Sequence, residues 1–200
     1  MSQTDAALLA RTAWITPIVR AALALVAALV ITFSGDHSAS FGLVVFGTWA
    51  TVSGVVLGAL ALRTLAGAAR WLFAANGLVT AVAGMLALGL RDAGLGFFLY
   101  LVIVWAAVTG FIELYAGIRE RSRAARAGST APVARDWIAV GAFTAVLALV
   151  YVLLPPNVVV SVGILGAYLV IIAVYLGIAG FSLRWDRSAA SAATRSEEAQ

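Results

Sequence analysis

Two charged residues lie inside otherwise apolar stretches, and any chemistry of this chain would depend on them first. Arg20 follows Trp14, the head of the first apolar run, by six residues, and Glu113 precedes Arg119, the end of the fourth run, by six residues. At 1.5 Å per helical residue, each charge lies about 9 Å inside its run. A charge near the middle of a membrane helix costs roughly 2.5–3.5 kcal/mol on insertion scales, so each charge needs a partner or a route to water.

Small residues surround both charges at helical spacing, and small faces are where membrane helices approach each other. These neighbours are Ala24, Ala27 and Ala28 around Arg20, and Ala106, Thr109, Gly110 and Gly117 around Glu113. We therefore predict that both side chains point into a helix bundle, at similar depth, and form an Arg20–Glu113 ion pair. Three interpretations stay open: a structural clasp, two side chains that snorkel to the interface without meeting, and a proton-linked functional site.

Other polar residues fall in short turns and offer weaker candidates. Asp36 and His37 lie in one turn, and Arg91 and Asp92 in another. A histidine facing the outside could sense acid, because histidine titrates near neutral pH, although ordinary loop chemistry is the favoured interpretation. The chain has one histidine and no cysteine, so we expect no metal centre.

The sequence has no phosphate-binding loop, zinc-protease helix, nucleophile elbow or carboxylate pair. Each of these motifs places reactive groups at a fixed spacing that catalysis requires. We therefore expect neither enzymatic activity nor a cofactor. The basic residues lack the motifs and interleaved aromatic residues that are typical of nucleic-acid binding, so no nucleic-acid partner is expected.

The composition places these charges in a membrane. Of 200 residues, 63% are hydrophobic and 11% are charged, whereas soluble domains average about 45–50% and about 25%. A soluble enzyme and a disordered chain are thereby excluded. Six apolar runs approach or exceed the roughly 20 residues that a spanning helix needs, at about 14–33, 41–62, 71–90, 95–118, 137–154 and 158–183. We predict an all-α, polytopic membrane protein with six transmembrane helices.

Three internal repeats organise these helices into units of about 13–63, 69–121 and 134–184. Two sets of equivalent residues mark the units: Trp14, Trp71 and Trp137 open the odd-numbered helices, and Trp49, Trp105 and Tyr168 match in the even-numbered helices. Each unit is a helical hairpin that returns to its starting side, so the three hairpins are parallel in orientation. A pseudo-threefold axis normal to the membrane is the arrangement that such repeats favour.

The arginines are distributed asymmetrically between the two ends of these hairpins. Arg91 lies at one end, whereas eleven arginines lie at the other: Arg11, Arg63, Arg70, Arg119, Arg121, Arg123, Arg126, Arg135, Arg184, Arg187 and Arg195. This bias predicts a multi-pass cell-membrane protein with both termini in the cytoplasm. We expect a cytoplasmic segment over 1–12, a single membrane domain over 13–186 and a disordered cytoplasmic tail over 187–200.

The longest connection, residues 119–136, mixes arginine with small polar residues and is predicted to be a flexible cytoplasmic linker. Five arginines in or beside it are candidate contacts for anionic lipid headgroups: Arg119, Arg121, Arg123, Arg126 and Arg135. Each could contribute about 1 kcal/mol near a charged surface. The alternative is that these arginines only determine topology.

The glycines and tryptophans of the apolar runs give further predictions about helix packing and membrane depth. Gly54 and Gly58 form a GxxxG motif, for which internal packing is favoured over dimerisation. Four tryptophans, Trp14, Trp71, Trp137 and Trp185, are predicted to form an interfacial belt, whereas Trp49 and Trp105 are expected to pack between helices.

Over residues 14–184 the chain resembles the HdeD family of small bacterial inner-membrane proteins. The features that carry the resemblance are a tryptophan at the head of a unit, Arg20 early in the first helix, glycines within the spans, and the Gly-Phe-Ile-Glu-Leu stretch at 110–114 running to Arg119. The resemblance implies a six-helix membrane protein linked to acid or general stress resistance, with no established reaction.

Three functions follow as hypotheses. The first is an HdeD-like, non-catalytic role in acid or envelope stress resistance. The second is a small proton-linked channel or transporter that uses Arg20 and Glu113, and it predicts a water-accessible cavity reaching Glu113. The third is an accessory subunit of a larger membrane complex, and it predicts a stable protein partner. Homo-oligomerisation stays open in each case.

Overall fold

The structure is a computed structural model that describes residues 14–129 and 131–198, without the side chains of Pro132 and of 186–198. The predicted N-terminal segment 1–12 lies outside the described residues. The helices are α1 (Ile15–Phe33), α2 (Ala39–Thr64), α3 (Gly67–Gly89), α4 (Gly94–Arg126), α5 (Pro132–Leu153) and α6 (Val158–Glu198). Six helices are long and apolar enough to cross a membrane. The prediction of a six-span, all-α membrane protein is confirmed.

The closest helix packing is between repeats rather than within them. α2 packs most extensively against α3, α4 against α5, and α6 against α1. The hairpin pairs α1–α2, α3–α4 and α5–α6 are also in contact, but less extensively. The second helix of each repeat therefore lies on the first helix of the next, and the α6–α1 contact closes a six-helix ring. The predicted hairpins are correct as chain connections, but they are not the tightest pairs.

Glycine faces explain this choice of partners. A Cβ atom on Gly77 of α3 would come within 2.6 Å of Gly54 O and Gly58 N on α2. A Cβ atom on Gly141 of α5 would come within 2.6 Å of Leu114 N on α4. Only glycine lets backbones approach this closely, as small residues do between membrane helices. The GxxxG motif thus serves internal packing, which confirms the prediction.

Three equivalent aromatic residues meet where the repeats converge. The ring centroids of Trp49 and Trp105 lie 5.5 Å apart, and those of Trp105 and Tyr168 lie 6.2 Å apart. Both contacts are edge-to-face, a geometry that aromatic quadrupoles favour. The prediction that Trp49 and Trp105 pack between helices is confirmed. The three repeats therefore surround a common centre.

The two ends of the ring differ in how the space between the helices is filled. We call the end that carries Arg63, Arg70, Arg119 and Arg184 the arginine-rich end. At the opposite end, the space between the helices is filled by apolar side chains with no solvent exposure: Leu43, Phe46, Phe98, Val162 and Leu165. Packed cores of this kind leave few voids as large as a water molecule. The opposite half of the bundle is therefore closed along its centre.

Two segments that the sequence predicts to be flexible or disordered are helical over most of their described residues. The segment 119–136 is mostly helical, because α4 continues to Arg126 and α5 begins at Pro132. The tail predicted to be disordered from residue 187 continues α6 as far as Glu198. Arginine, glutamate and alanine are strong helix formers, so polar composition alone does not end these helices.

The predicted tryptophan belt holds only in part. Trp71 and Trp185 are exposed on the outside of the bundle, and the Arg184 guanidinium lies 5.3 Å from the ring of Trp14. Trp137 instead packs against Phe73, with ring centroids 4.6 Å apart. Three of the four tryptophans therefore lie where a belt would place them, and the fourth faces the interior.

Candidate functional site

The structure brings the two intramembrane charges together. Arg20 Nη2 lies 2.7 Å from Glu113 Oε1, and the Glu113 side chain is only 3% exposed. The packing order of the ring places α1 and α4 on opposite sides of it, so the ion pair crosses the centre of the bundle. The small residues predicted to surround both charges are buried as well. Because the two charges are in contact, the interpretation of two snorkelling side chains is removed. A structural clasp and a proton-linked functional site remain open.

Asn76 of α3 is a third member of the site that the sequence reading did not identify. Its side-chain Nδ2 donates to the same oxygen of Glu113, Oε1, over 3.2 Å. Asn76 is 2% exposed. A polar amide within an apolar span is a signal that could have found it, because such residues are rarely left without a function or a partner. Arg20 and Asn76 therefore share one oxygen of the Glu113 carboxylate.

Two threonines form hydrogen bonds with two of the three central aromatic residues. Trp105 Nε1 donates to Thr80 Oγ1 over 3.2 Å, and Thr144 Oγ1 lies 2.8 Å from Tyr168 OH. In both cases the threonine belongs to the first helix of the same repeat. Trp49 Nε1 is buried and has no such partner in the part of the chain that the structure describes.

A small polar cavity lies beside the ion pair, and we call it the inner cavity. Its volume is about 40 Å³, and it is lined by Arg20, Trp49, Ser53, Asn76, Thr80, Thr109, Glu113, Tyr168 and four further residues. Three buried polar atoms of its lining residues lack a hydrogen-bond partner in the described structure: Trp49 Nε1, Ser53 Oγ and Asn76 Oδ1. A cavity of this volume and polarity can hold ordered water.

A second cavity lies between the inner cavity and the arginine-rich end, and we call it the vestibule. Its volume is about 130 Å³, and its lining includes Thr16, Thr64, Asp136 and Trp137. The two cavities share Arg20 and Leu57, so these two residues lie at the boundary between them. Asp136 Oδ1 accepts a hydrogen bond from Tyr175 OH over 3.1 Å.

Glu113 breaks the equivalence of the three repeats. Leu57, Glu113 and Leu176 are spaced by 56 and 63 residues, as are Trp49, Trp105 and Tyr168. All three side chains are buried. Two repeats therefore place leucine where the middle repeat places a carboxylate, so a charge at this position is not required by the packing of a repeat.

The five arginines proposed as lipid contacts are all exposed at the arginine-rich end. Arg121 and Arg135 line one groove of about 550 Å³ between α4 and α5. Arg119 and Arg123 line a second groove of about 130 Å³ beside α3, where Arg123 Nη1 lies 3.9 Å from Glu120 Oε2. Arg126 lines neither groove. Paired arginines beside an apolar groove are suited to an anionic headgroup.

The polar residues in the turns make local contacts. Asp36 Oδ1 accepts from Ser38 N over 2.8 Å, and the Ser38 side chain caps α2 by accepting from Phe41 N. Arg91 Nε lies 3.6 Å from Asp92 Oδ2, with both side chains exposed. Within the described ranges, no group of three histidine, cysteine or acidic side chains is close enough to bind a metal ion.

Comparison of the chain with protein-family models, with curated proteins and with solved structures finds no match.

Proposed function

We propose that this protein is a non-catalytic membrane component of acid or envelope stress resistance, as its resemblance to the HdeD family implies. Its working element is the Arg20–Glu113 pair, and the observation that carries the proposal is the burial of this pair at the centre of a closed ring. Its place is the bacterial cell membrane, with the arginine-rich end and both termini toward the cytoplasm.

Burial of the Arg20–Glu113 pair has an energetic cost. Removing two charges from water costs several kcal/mol per ion, and a well-packed apolar group of similar volume often stabilises a protein as well or better. Leu57 and Leu176 show that leucine packs at the equivalent positions. A carboxylate with a guanidinium partner at this one position therefore serves something besides packing, and buried intramembrane charges are typical of functional sites.

The orientation rests on the arginines. Arg63, Arg70, Arg119 and Arg184 lie at the ends of the apolar stretches on one side of the bundle, and Arg91 lies on the other. Arginines flanking membrane helices are retained on the cytoplasmic side. The grooves beside Arg121 and Arg123 support contact with anionic lipid headgroups from that side.

The test is the cytoplasmic pH of cells after an external acid shift. A deletion strain is compared with strains that express the wild-type protein, Glu113→Gln, or Asp92→Asn as a control at an exposed acid. We expect faster acidification in the deletion strain, rescue by the wild type and by Asp92→Asn, and no rescue by Glu113→Gln at equal expression. Identical behaviour of all strains would refute the acid-resistance role.

A proton-linked channel or transporter is the second candidate, and the cavities favour it. The vestibule and the inner cavity together extend from the arginine-rich end to Glu113. The apolar side chains of the opposite half argue against a continuous pore in this conformation. If the acid-shift test fails, isolating stable partners from native membranes in mild detergent tests the third hypothesis, an accessory subunit.

A further inference from the structure

We propose that Glu113 exchanges protons with one side of the membrane only, through water bound in the inner cavity, and that this side is the arginine-rich end. The proposal goes beyond a stress role, because it concerns a property of the purified molecule. It makes the buried pair a one-sided proton site rather than a purely structural clasp.

The inner cavity is lined by side chains with polar atoms that lack hydrogen-bond partners among the described residues. Trp49 Nε1 is a donor, Asn76 Oδ1 is an acceptor, and Ser53 Oγ can act as both. All three atoms are buried, have no partner among the described residues, and belong to side chains that line the inner cavity. An unsatisfied buried polar atom costs about 1–3 kcal/mol. A bound water typically makes about three hydrogen bonds to such atoms, so this cavity is built to hold water.

The geometry of the carboxylate is the second observation. Arg20 and Asn76 both donate to Oε1 of Glu113. The hydrogen bonds from Arg20 and Asn76 therefore use the same oxygen, and Glu113 also lines the inner cavity. The two hydrogen bonds to Oε1 can therefore persist while Oε2 accepts a proton from water in the inner cavity. The ion pair then becomes a hydrogen bond from the charged guanidinium to a neutral carboxyl group.

The positions of the two cavities indicate the end of the bundle from which water reaches Glu113. From the arginine-rich end, the vestibule leads to Arg20, and the inner cavity continues from Arg20 to Glu113. Beyond the central aromatic residues, the fully buried side chains of Phe46, Phe98 and Leu165 fill the opposite half. Cavities therefore lie between Glu113 and the arginine-rich end, whereas a packed apolar layer lies between Glu113 and the opposite end.

The charged and titratable groups facing this route define the proton step. Arg20 faces Glu113 from α1 and Tyr168 faces it from α6, while Asp136 lines the vestibule from α5. The side chains facing it from α2 and α3, Trp49, Ser53 and Asn76, do not titrate. A hydronium ion gives one proton to Glu113 Oε2, a new O–H bond forms and a water molecule remains. Arg20 stays protonated throughout, because guanidinium is not deprotonated in proteins.

The presence of water can be tested by X-ray hydroxyl-radical footprinting of the full chain in lipid nanodiscs. Radicals formed from bound water should oxidise Trp49 and Trp105, as bulk water oxidises the exposed Trp71. Filling the inner cavity with Ser53→Leu, or with the smaller Ser53→Val, should abolish labelling of the two buried rings and leave Trp71 unchanged. Labelling confined to Trp71 in the wild type would overturn the proposal.

Protonation and sidedness can be tested together by infrared spectroscopy. On acidification, the wild type should gain a protonated-carboxyl band that Glu113→Gln lacks. Because the chain has no cysteine, Thr64→Cys in the vestibule and Val159→Cys at the opposite end can each carry one bulky thiol reagent. The block at Thr64→Cys should slow the response of this band to a pH jump at least tenfold, and the block at Val159→Cys should leave it unchanged.

Either of two results overturns the proposal: the same band gained by Glu113→Gln, or equal response rates for the two blocked variants. These outcomes are distinct from failure of the proposed function. If Glu113 does not protonate in vitro, Glu113→Gln can still fail to rescue the deletion strain. If Glu113 does protonate in vitro, the protein can still have no effect on cytoplasmic pH.

Discussion

Arg20 Nη2 and Glu113 Oε1 lie 2.7 Å apart, although 93 positions separate the two residues in the chain. The contact joins helices from different repeats across the centre of the ring. Removing either side chain leaves the other charge without its partner, Glu113 buried or Arg20 partly buried, and an uncompensated buried charge is strongly destabilising. The pair therefore couples the stability of the bundle to its candidate chemistry.

Glu113→Ala should destabilise the protein by about 3–5 kcal/mol, because Arg20 would remain charged without its partner. On an Arg20→Ala background the same substitution should cost much less, since no charge is left unpaired. Thermal unfolding in detergent measures both losses. As a control, Asp92→Ala should cost no more than about 1 kcal/mol, because the Arg91–Asp92 pair is exposed. Equal losses from Glu113→Ala in both backgrounds would rule out energetic coupling.

Thr144→Val should destabilise the bundle by about 1 kcal/mol, because the hydroxyl bonded to Tyr168 OH is replaced by a methyl group. The effects of Thr144→Val and Tyr168→Phe should not add in the double variant, because each substitution removes the same hydrogen bond. Thr32→Val is the control: Thr32 bonds only the carbonyl of its own helix and is exposed. Additive losses would show that the 2.8 Å contact contributes nothing.

Gly77→Ala should destabilise the α2–α3 contact by about 1–3 kcal/mol, because the new Cβ meets backbone atoms that cannot move independently. Gly163→Ala is the matched control, since nothing lies within 4 Å of the added Cβ. It should be neutral or stabilising by up to about 1 kcal/mol, as alanine favours helix over glycine. Melting temperatures in one detergent compare the two, and the reverse order would contradict the packing described above.

The proposed orientation predicts opposite labelling of two single-cysteine variants. Gly35→Cys, in the turn after α1, should react with a membrane-impermeant thiol reagent in intact spheroplasts. Ser129→Cys, in the turn after α4, should react only after the membrane is permeabilised. The absence of native cysteine leaves no background. Labelling of Ser129→Cys alone in intact spheroplasts would invert the topology.

Replacing Arg121 and Arg135 together by glutamine should weaken binding of anionic lipid by about 2 kcal/mol, or roughly 30-fold, at low salt. The expected loss shrinks as salt is added, because exposed charges are screened. Arg91→Gln, at the opposite end, should leave the affinity unchanged. Titration of the detergent-solubilised protein with anionic and zwitterionic lipids provides the measurement, and equal affinities for the two lipids would exclude the proposed groove.

Hydropathy along the chain was sufficient to predict the six spans, because the need for about 20 apolar residues per crossing acts on each segment separately. The depth of Arg20 and of Glu113 followed from the helical rise, and their small-residue faces predicted that they point inward. The extensions of α4 to Arg126 and of α6 to Glu198 were missed, because a polar helix beyond the membrane has no hydropathy signal.

Only the tertiary structure decided which helices pack most closely, that Asn76 shares an oxygen of Glu113 with Arg20, and that the polar cavities open toward one end. These features depend on contacts between residues of different helices, such as Gly54 against Gly77 and Arg20 against Glu113. Local periodicity indicates that a face will be buried, but not against which partner. That choice depends on the combined fit of all six helices around one centre, where close-packed interiors allow few alternatives.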